Sequence, residues 1–246
     1  MIDWLVQTAI PGSALAGGTA PAGLLAPAEQ ERLVALRFDK RRRDWLLGRW
    51  TAKQLLRRSL VEHTGAAPPL ASLVILPAPD GAPLVQVAGQ APALSISHSH
   101  GRALCALSWQ AGLRLGADIE AIEPRDPVFV ADYFSRAERA LLEPAPAELR
   151  DTLITAVWSA KEAALKVLRL GLTVDTRSVT CLPALARATA APSSAGCALR
   201  GAGGWLPLAV SCTPGLGGTD TTGVWEGWWC VQDAFVLTIV SCVKNS

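Results

Sequence analysis

The spacing of apolar residues along the chain predicts helices and strands in alternating groups. Between 39 and 62 an apolar stripe recurs at helical spacing, with Asp39 at its start and Gly65 just past its end, as expected of one long helix. Helices are predicted near 27 and over 39–62, 135–143 and 148–169. Strands are predicted over 72–76, 83–87, 93–97, 103–108, 113–120, 177–181, 205–211, 225–231 and 234–242.

This order of elements indicates the fold class. Helix, strands, helix and strands follow one another in that order, which predicts an α+β protein of two similar halves, 1–112 and 113–246. The Ala-, Gly-, Pro- and Ser-rich segment 183–204 is predicted to be a loop. No short-period repeat is visible.

Composition narrows the class of protein. Half of the 246 residues are hydrophobic and 18% are charged, which excludes a disordered chain. The apolar run 234–243 is far shorter than the roughly 20 residues of a spanning helix, and the N-terminus lacks a basic segment, so neither a membrane span nor a secretory signal is expected. Six cysteines without C-x-x-C spacing argue against a zinc site and favour reduced thiols in the cytoplasm.

Charge is concentrated in one segment. Residues 31–58 hold ten Lys or Arg and three Asp or Glu, a local charge of +7 in a chain whose net charge is +2. Such a block predicts a phosphate-bearing partner bound at one place, and the acidic remainder argues against nucleic acid. The alternative is the solvated face of a helix. The run at the start of the long helix is Lys40, Arg41, Arg42 and Arg43.

Two acids on the predicted strand 113–120 are a candidate metal site. Asp118 and Glu120 stand two residues apart, so their carboxylates share one face. Oxygen ligands of this kind suit Mg²⁺, which would relieve their repulsion. The alternative is a strand end with two solvated acids.

The helix predicted over 148–169 carries a second polar line. Trp158, Glu162 and Lys166 follow one another at intervals of four. An exposed Glu–Lys pair at this spacing is commonly a surface pair of a few tenths of a kcal/mol. Because a solvated stripe rarely includes tryptophan, the line indicates the wall of a cleft.

A third candidate is the polar segment 95–101, which contains Ser97, His98 and Ser99. Its hydroxyls, backbone N–H groups and imidazoles could bind an oxyanion. His98 and His100 could instead chelate a metal, although no third soft ligand is apparent. The remaining alternative is an ordinary turn.

Five motifs follow one another along the chain. They are Gly48-Arg49-Trp50, Ser97-His98-Ser99, Gly116-Ala117-Asp118-Ile119-Glu120, Phe134-Ser135-x-x-Glu138 and Trp158-Ser159-Ala160-Lys161-Glu162-x-x-x-Lys166. In this order they resemble the motifs of 4′-phosphopantetheinyl transferases of the Sfp type, and the resemblance covers roughly residues 30 to 175.

The resemblance implies a fold and an activity. The two α+β halves would be related by a pseudo-two-fold axis, with the active site in the cleft between them and a monomeric chain. The enzyme would move phosphopantetheine from coenzyme A to a serine of an apo acyl or peptidyl carrier protein, with Mg²⁺ as cofactor, and release adenosine 3′,5′-bisphosphate. The N-terminal half would hold the CoA nucleotide, and the C-terminal half the metal and the catalytic helix.

The implied catalytic residues lie in the C-terminal half. Asp118, Glu120 and Glu162 would hold Mg²⁺, which neutralises the diphosphate of CoA. Glu162 would take the proton of the carrier serine, directly or through a metal-bound water. Lys166 would stabilise or protonate the leaving phosphate oxygen. Asp118 and Lys166 would also contact CoA.

The remaining CoA contacts are implied for the nucleotide. Ser97 and His98 would meet the side of CoA that carries the 3′-phosphate, together with Lys40 or Arg43. Lys161 would lie near the nucleotide. Which member of the basic run points inward is left open by the sequence. Relatives usually carry lysine where this chain has Ala82, so the arginines would compensate or CoA would bind more weakly.

Two other functions fit parts of the pattern. A metal-dependent nuclease or phosphodiesterase also uses acids with a nearby lysine, although its lysine usually sits beside the acid on a strand. A non-catalytic scaffold for carrier proteins could keep the same fold. The presence of Asp118, Glu120, Glu162 and Lys166 together argues against the scaffold.

Overall fold

A computed structural model describes residues 1–85, 87, 89–186, 197–201 and 203–244. Within these ranges the chain forms five α-helices and ten β-strands, which confirms a mixed fold of helices and strands. The chain divides into two compact units, 1–111 and 112–246. No helix in the described ranges is both long enough and apolar enough to cross a membrane.

The N-terminal unit packs one long helix on a small sheet. Strands β1, β5 and β4 form an antiparallel sheet in that order, and β2 pairs with β3. Helix α2 packs on all three strands of the larger sheet, burying an apolar face that includes Leu55 and Leu56. The elements are β1 (Asp3–Thr8), α1 (Pro27–Ala35), α2 (Asp39–Thr64), β2 (Ile75–Pro77), β3 (Pro83–Val85), β4 (Ala93–Ser99) and β5 (Arg102–Ser108).

Local turn chemistry explains the β4–β5 hairpin. His100 and Gly101 connect the strands, with φ of 46° and 75°, as a tight hairpin turn of this kind requires.

The strand predicted from 72 begins only at Ile75, because 70–72 form a turn of 3₁₀ helix. Strand β1 received no prediction; its partner is β5, about a hundred residues along the chain.

The C-terminal unit is also a helix packed on an antiparallel sheet. Its strand order is β6-β10-β9-β8-β7, and α5 packs on β6, β10 and β7. Most of α5 is buried, including Leu153, Val157 and Ala164. The elements are β6 (Leu113–Ala121), α3 (Pro127–Tyr133), α4 (Arg136–Leu142), α5 (Ala147–Leu168), β7 (Val179–Pro183), β8 (Leu206–Cys212), β9 (Val224–Gln232) and β10 (Phe235–Val243).

Two details of this unit differ from the predictions. Helix α3 was not predicted, although Pro127 follows Asp126, whose side chain caps the helix by accepting from the Val128 N–H at 2.8 Å. The loop predicted over 183–204 includes the last residue of β7, Pro183, and its residues 187–196 and 202 lie outside the described residues.

Candidate functional site

Three carboxylates of the C-terminal unit meet at one point. Asp118 and Glu120 extend from β6 and Glu162 from α5, and one oxygen atom of each lies within 4.8 Å of the others. The two-residue period of β6 directs both strand acids to the face that α5 covers. Asp118 is buried, whereas Glu120 and Glu162 are partly exposed, so the cluster opens to solvent on one side.

Lys166 completes this cluster by contacting the strand. Its Nζ donates to Asp118 Oδ1 at 2.8 Å and to the carbonyl oxygen of Ala117 at 3.0 Å. A cation is therefore fixed beside the buried carboxylate, one helical turn from Glu162. The nearby lysine comes from a helix, not from the strand that carries the acids.

The helix line that contains Glu162 is not a solvated face. Trp158 is only 8% exposed, and its ring packs edge-on against Phe129, with centroids 4.9 Å apart. Tyr133 makes a similar contact at 5.5 Å. Trp158 is therefore a core residue beside the cluster, and the interpretation of Glu162 and Lys166 as a solvated surface pair does not hold.

Electrostatics in the cluster favour a bound cation. The pKa of Glu162 is raised from 4.5 to about 7, chiefly by burial and then by the charges of Asp118 and Glu120, against the opposing effects of Lys166 and Arg125. Lys166 and Arg125, whose guanidinium lies 3.9 Å from Glu120 Oε2, thus only partly offset the three acids. A set of carboxylate oxygens without sulfur or imidazole fits Mg²⁺.

The N-terminal unit has a separate pocket of about 240 Å³. Two guanidinium groups give it a cationic wall with an imidazole beside them, and an indole and two prolines give it an apolar wall. The guanidinium of Arg49 lies 4.9 Å from the ring centre of Trp45. The lining residues are Arg32, Trp45, Gly48, Arg49, Pro77, Gly81, Pro83, Ile96 and His98.

Strand geometry separates the two predicted nucleotide-binding residues of β4. His98 lines the pocket with Ile96, two residues earlier, and its side chain is 44% exposed. Ser97 is buried and does not line the pocket, because alternate residues of a strand face opposite sides. The structure thus brings His98 to the pocket and leaves Ser97 behind it.

Helix geometry likewise separates the predicted basic residues from the pocket. At about 100° per residue, Lys40 and Arg43 lie roughly 140° and 160° around α2 from Trp45. Both are exposed, and neither lines the pocket. Its cations are Arg32 and Arg49. Ala82 lies between two lining residues, Gly81 and Pro83.

Lys161 does not reach a nucleotide site. Its side chain is fully buried, with Nζ 2.9 Å from Glu138 Oε2. The same ammonium donates to the carbonyl oxygens of Thr176 and Val179, at 2.8 and 2.5 Å. Since an ammonium has three donors, these contacts leave none for a phosphate, which corrects the predicted role of Lys161.

Two similar segments far apart in the sequence indicate the buried position of Lys161. The segment Trp50-Thr51-Ala52-Lys53-Gln54 in α2 reappears in α5 as Trp158-Ser159-Ala160-Lys161-Glu162, 108 residues later. Lys53, like Lys161, is fully buried in contact with a glutamate, Glu29. Comparing the two segments would have indicated a structural role for Lys161.

No curated protein matches this chain. Among solved structures, holo-(acyl-carrier-protein) synthase (AcpS) of Thermotoga maritima is 15% identical over 53% of this chain and 63% of its own, with a TM-score of 0.37. An apo-ACPS structure from Chronobacterium ammoniagenes is 25% identical over 45% of this chain and 96% of its own (TM-score 0.34). The ACPS–CoA complex from that organism is 23% identical over 44% and 96% (TM-score 0.32).

A family model matches the segment that carries the carboxylate cluster. The match runs over residues 114–195, about a third of the chain, and includes Asp118, Glu120, Glu162 and Lys166. The model is that of the 4′-phosphopantetheinyl transferase superfamily, and the chain is similar to this family over that segment.

Proposed function

We propose that the protein transfers 4′-phosphopantetheine from coenzyme A to a serine of an acyl or peptidyl carrier protein. The observation that carries this proposal is the meeting of Asp118, Glu120 and Glu162 within 4.8 Å, in the segment that matches the transferase superfamily. Acids so close together are suited to bind a divalent cation against the diphosphate of CoA.

The chemistry is assigned to the residues of this cluster. Asp118, Glu120 and Glu162 would hold Mg²⁺, which supplies a Lewis acid and charge neutralisation at the diphosphate. Glu162 would also accept the proton of the carrier serine; in the metal-free cluster its pKa is raised to about 7, chiefly by burial. Lys166 is fixed by Asp118 and Ala117, in position to stabilise the leaving phosphate oxygen.

The nucleotide end of CoA is assigned to the pocket of the N-terminal unit. Arg32, Arg49 and His98 offer hydrogen-bond donors to phosphate oxygens, and guanidinium groups bind phosphate in a bidentate manner. Trp45 offers an aromatic face beside Arg49. The pocket therefore combines groups for a phosphate with groups for a base. This keeps His98 from the sequence prediction and replaces Lys40 and Arg43 by two other arginines.

The Sfp type, with two pseudo-two-fold halves in one monomeric chain, is part of the proposal. Internal topology supports it: the order β1-β5-β4 in one unit corresponds to β6-β10-β9 in the other. A long helix packs on each of these groups of strands, and both helices contain the repeated segment with Lys53 or Lys161.

The partner and compartment follow from charge and thiols. Lys40, Arg41 and Arg43 are exposed at the start of α2, where they would attract the acidic surface that surrounds the acceptor serine of carrier proteins. All six cysteines are free thiols, as expected in the reducing cytoplasm.

The test is incubation with CoA, Mg²⁺ and a panel of apo-carrier proteins, read by mass spectrometry. We expect one carrier to gain the mass of phosphopantetheine with the wild-type protein and not with Asp118→Asn. Carrier binding without any mass gain would overturn the proposal in favour of a scaffold. Nicking of plasmid DNA that depends on Asp118, again without mass gain, would favour the nuclease.

A further inference from the structure

The buried pair of Lys161 and Glu138 connects α5 to three other elements of its unit. Lys161 lies on α5, and its ammonium contacts Glu138 near the start of α4. Its other two bonds reach the 3₁₀ turn at Thr176 and the first residue of β7, Val179. One side chain thus fixes α5 on the side away from β6.

Glu138 is held as firmly as its partner. Its Oε2 accepts from the backbone N–H of Ser135 at 2.6 Å, which closes the capping box of α4. Its Oε1 accepts from the backbone N–H of Cys181 in β7 at 2.7 Å. Both oxygens are thus fixed by main-chain groups, so the position of the carboxylate is set before Lys161 contacts it.

A pair of this kind is better explained by orientation than by stability. Removing two charges from water offsets most of the attraction of a buried ion pair, and apolar replacements are often equally stable. The bonds of Lys161 are directional, however, and Glu162 is the next residue. Its carboxylate lies about 5–6 Å from the helix axis, so a rotation of about 10° would move it by about 1 Å. Metal–ligand distances in proteins deviate from their usual values by only about 0.2 Å.

Resting on the proposed function, we propose that Lys161 and Glu138 are positioning residues for the metal site. They set the rotation of α5 about its axis, and thereby bring Glu162 to Asp118 and Glu120. Lys166 holds the same helix from the opposite side through Asp118. Neither member of the pair touches substrate or metal.

The N-terminal unit contains a similar buried pair of a lysine and a glutamate, Lys53 and Glu29. Glu29 accepts from the backbone N–H groups of Ala26 and Ile75, at 3.0 and 3.2 Å, and contacts the ammonium of Lys53. The residue after Lys53 is Gln54, so this pair has no carboxylate to orient. Breaking it provides a control of similar chemistry and burial, in which Glu29 also lies 3.7 Å from the guanidinium of Arg49.

The experiment measures Mn²⁺ binding to the full chain by electron paramagnetic resonance, with Mn²⁺ in place of Mg²⁺. Lys161→Met should weaken binding by about tenfold or more, as is typical when groups behind metal ligands are removed. Lys53→Met should destabilise the protein similarly and leave Mn²⁺ affinity within about twofold of wild type. Equal losses in the two variants would overturn the proposal.

A double variant separates positioning from stability. Glu138→Gln/Lys161→Met leaves no unpaired buried charge, so its free energy of unfolding should recover relative to Lys161→Met, while Mn²⁺ affinity stays low. Recovery of affinity along with stability would show a purely structural pair. If Lys161→Met does not fold, the double variant alone decides. The wild type should bind Mn²⁺, and Asp118→Asn should abolish this binding. If either expectation fails, the proposed metal site itself is overturned.

Discussion

A Cβ atom on Gly116 would lie 1.9 Å from the carbonyl oxygen of Ala163. The backbone of β6 therefore touches the backbone of α5, two residues before Asp118 and one residue after Glu162. This close approach brings a strand carboxylate within reach of a helix carboxylate. Glycine at this position is required by space, since its φ is not in the left-handed region.

Gly116→Ala should therefore move β6 away from α5. Overpacking of this kind costs about 1–3 kcal/mol of unfolding free energy, and Mn²⁺ affinity should fall because Asp118 moves with the strand. Urea unfolding and Mn²⁺ binding check both effects. Gly203→Ala is the control, because a Cβ there meets open space at an ordinary φ. Unchanged Mn²⁺ affinity in Gly116→Ala would contradict the role given to this contact.

Glu162→Gln should retain the fold and lose transfer activity. The change keeps size and shape but removes a ligand and the proton acceptor, and loss of general-base help alone lowers the rate by about 10²–10⁴. Single-turnover transfer to an apo-carrier at saturating Mg²⁺ measures the effect. Glu148→Gln, at an exposed position on the same helix, should transfer at the wild-type rate. A wild-type rate in Glu162→Gln would rule out Glu162 as ligand or base.

The raised pKa of Glu162 predicts opposite pH trends for stability and metal affinity. Between its ordinary pKa of 4.5 and its folded value of about 7, the folded protein retains a proton that the unfolded chain has lost. Metal-free stability therefore falls as pH rises through this window. Because Mg²⁺ needs the deprotonated carboxylate, its affinity should rise by up to about tenfold per pH unit and level off above 7.

Calorimetry in EDTA from pH 5 to 8 tests the stability trend. Wild-type melting temperature should fall relative to Glu162→Gln as pH rises, because the neutral amide does not acquire the buried charge. Parallel curves for the two proteins would show that Glu162 does not titrate in this window.

His98→Ala should weaken binding of CoA more than binding of dephospho-CoA, which lacks the 3′-phosphate. A hydrogen bond to a charged group typically contributes about 1.5–3 kcal/mol, so CoA should bind at least about tenfold more weakly. Titration calorimetry with both ligands measures the difference. His63→Ala, at the end of α2 and outside the pocket, should bind both as the wild type does. Equal losses for the two ligands would remove His98 from the phosphate site.

Local pattern in the sequence predicted most elements and singled out Asp118, Glu120 and Glu162, and the family resemblance joined the three as one proposed metal site. The helical stripe around Glu162 and the two-residue period of Asp118 and Glu120 are properties of a few neighbouring residues, and the structure keeps both. It also keeps the β4–β5 hairpin. Strand β1 was not predicted because its stability comes from a partner strand far along the chain.

Tertiary packing decided which charged side chains lie in the core and which lie at the candidate sites. Lys161 and Glu162 are neighbours in one motif, yet Lys161 turns into the core towards Glu138 while Glu162 meets Asp118. On the N-terminal side the pocket takes its cations from Arg32 and Arg49, not from the run of four basic residues at the start of α2.

The residue order alone indicates which positions are acidic, which face of a strand or helix each occupies, and which two elements hold the clustered carboxylates. Packing between distant segments settles which of those faces meet and which cations are buried. The difference is one of range. Periodicity along a helix or strand reports a direction around one axis, whereas the partner of a buried charge is set by the packing of segments that lie far apart in the chain.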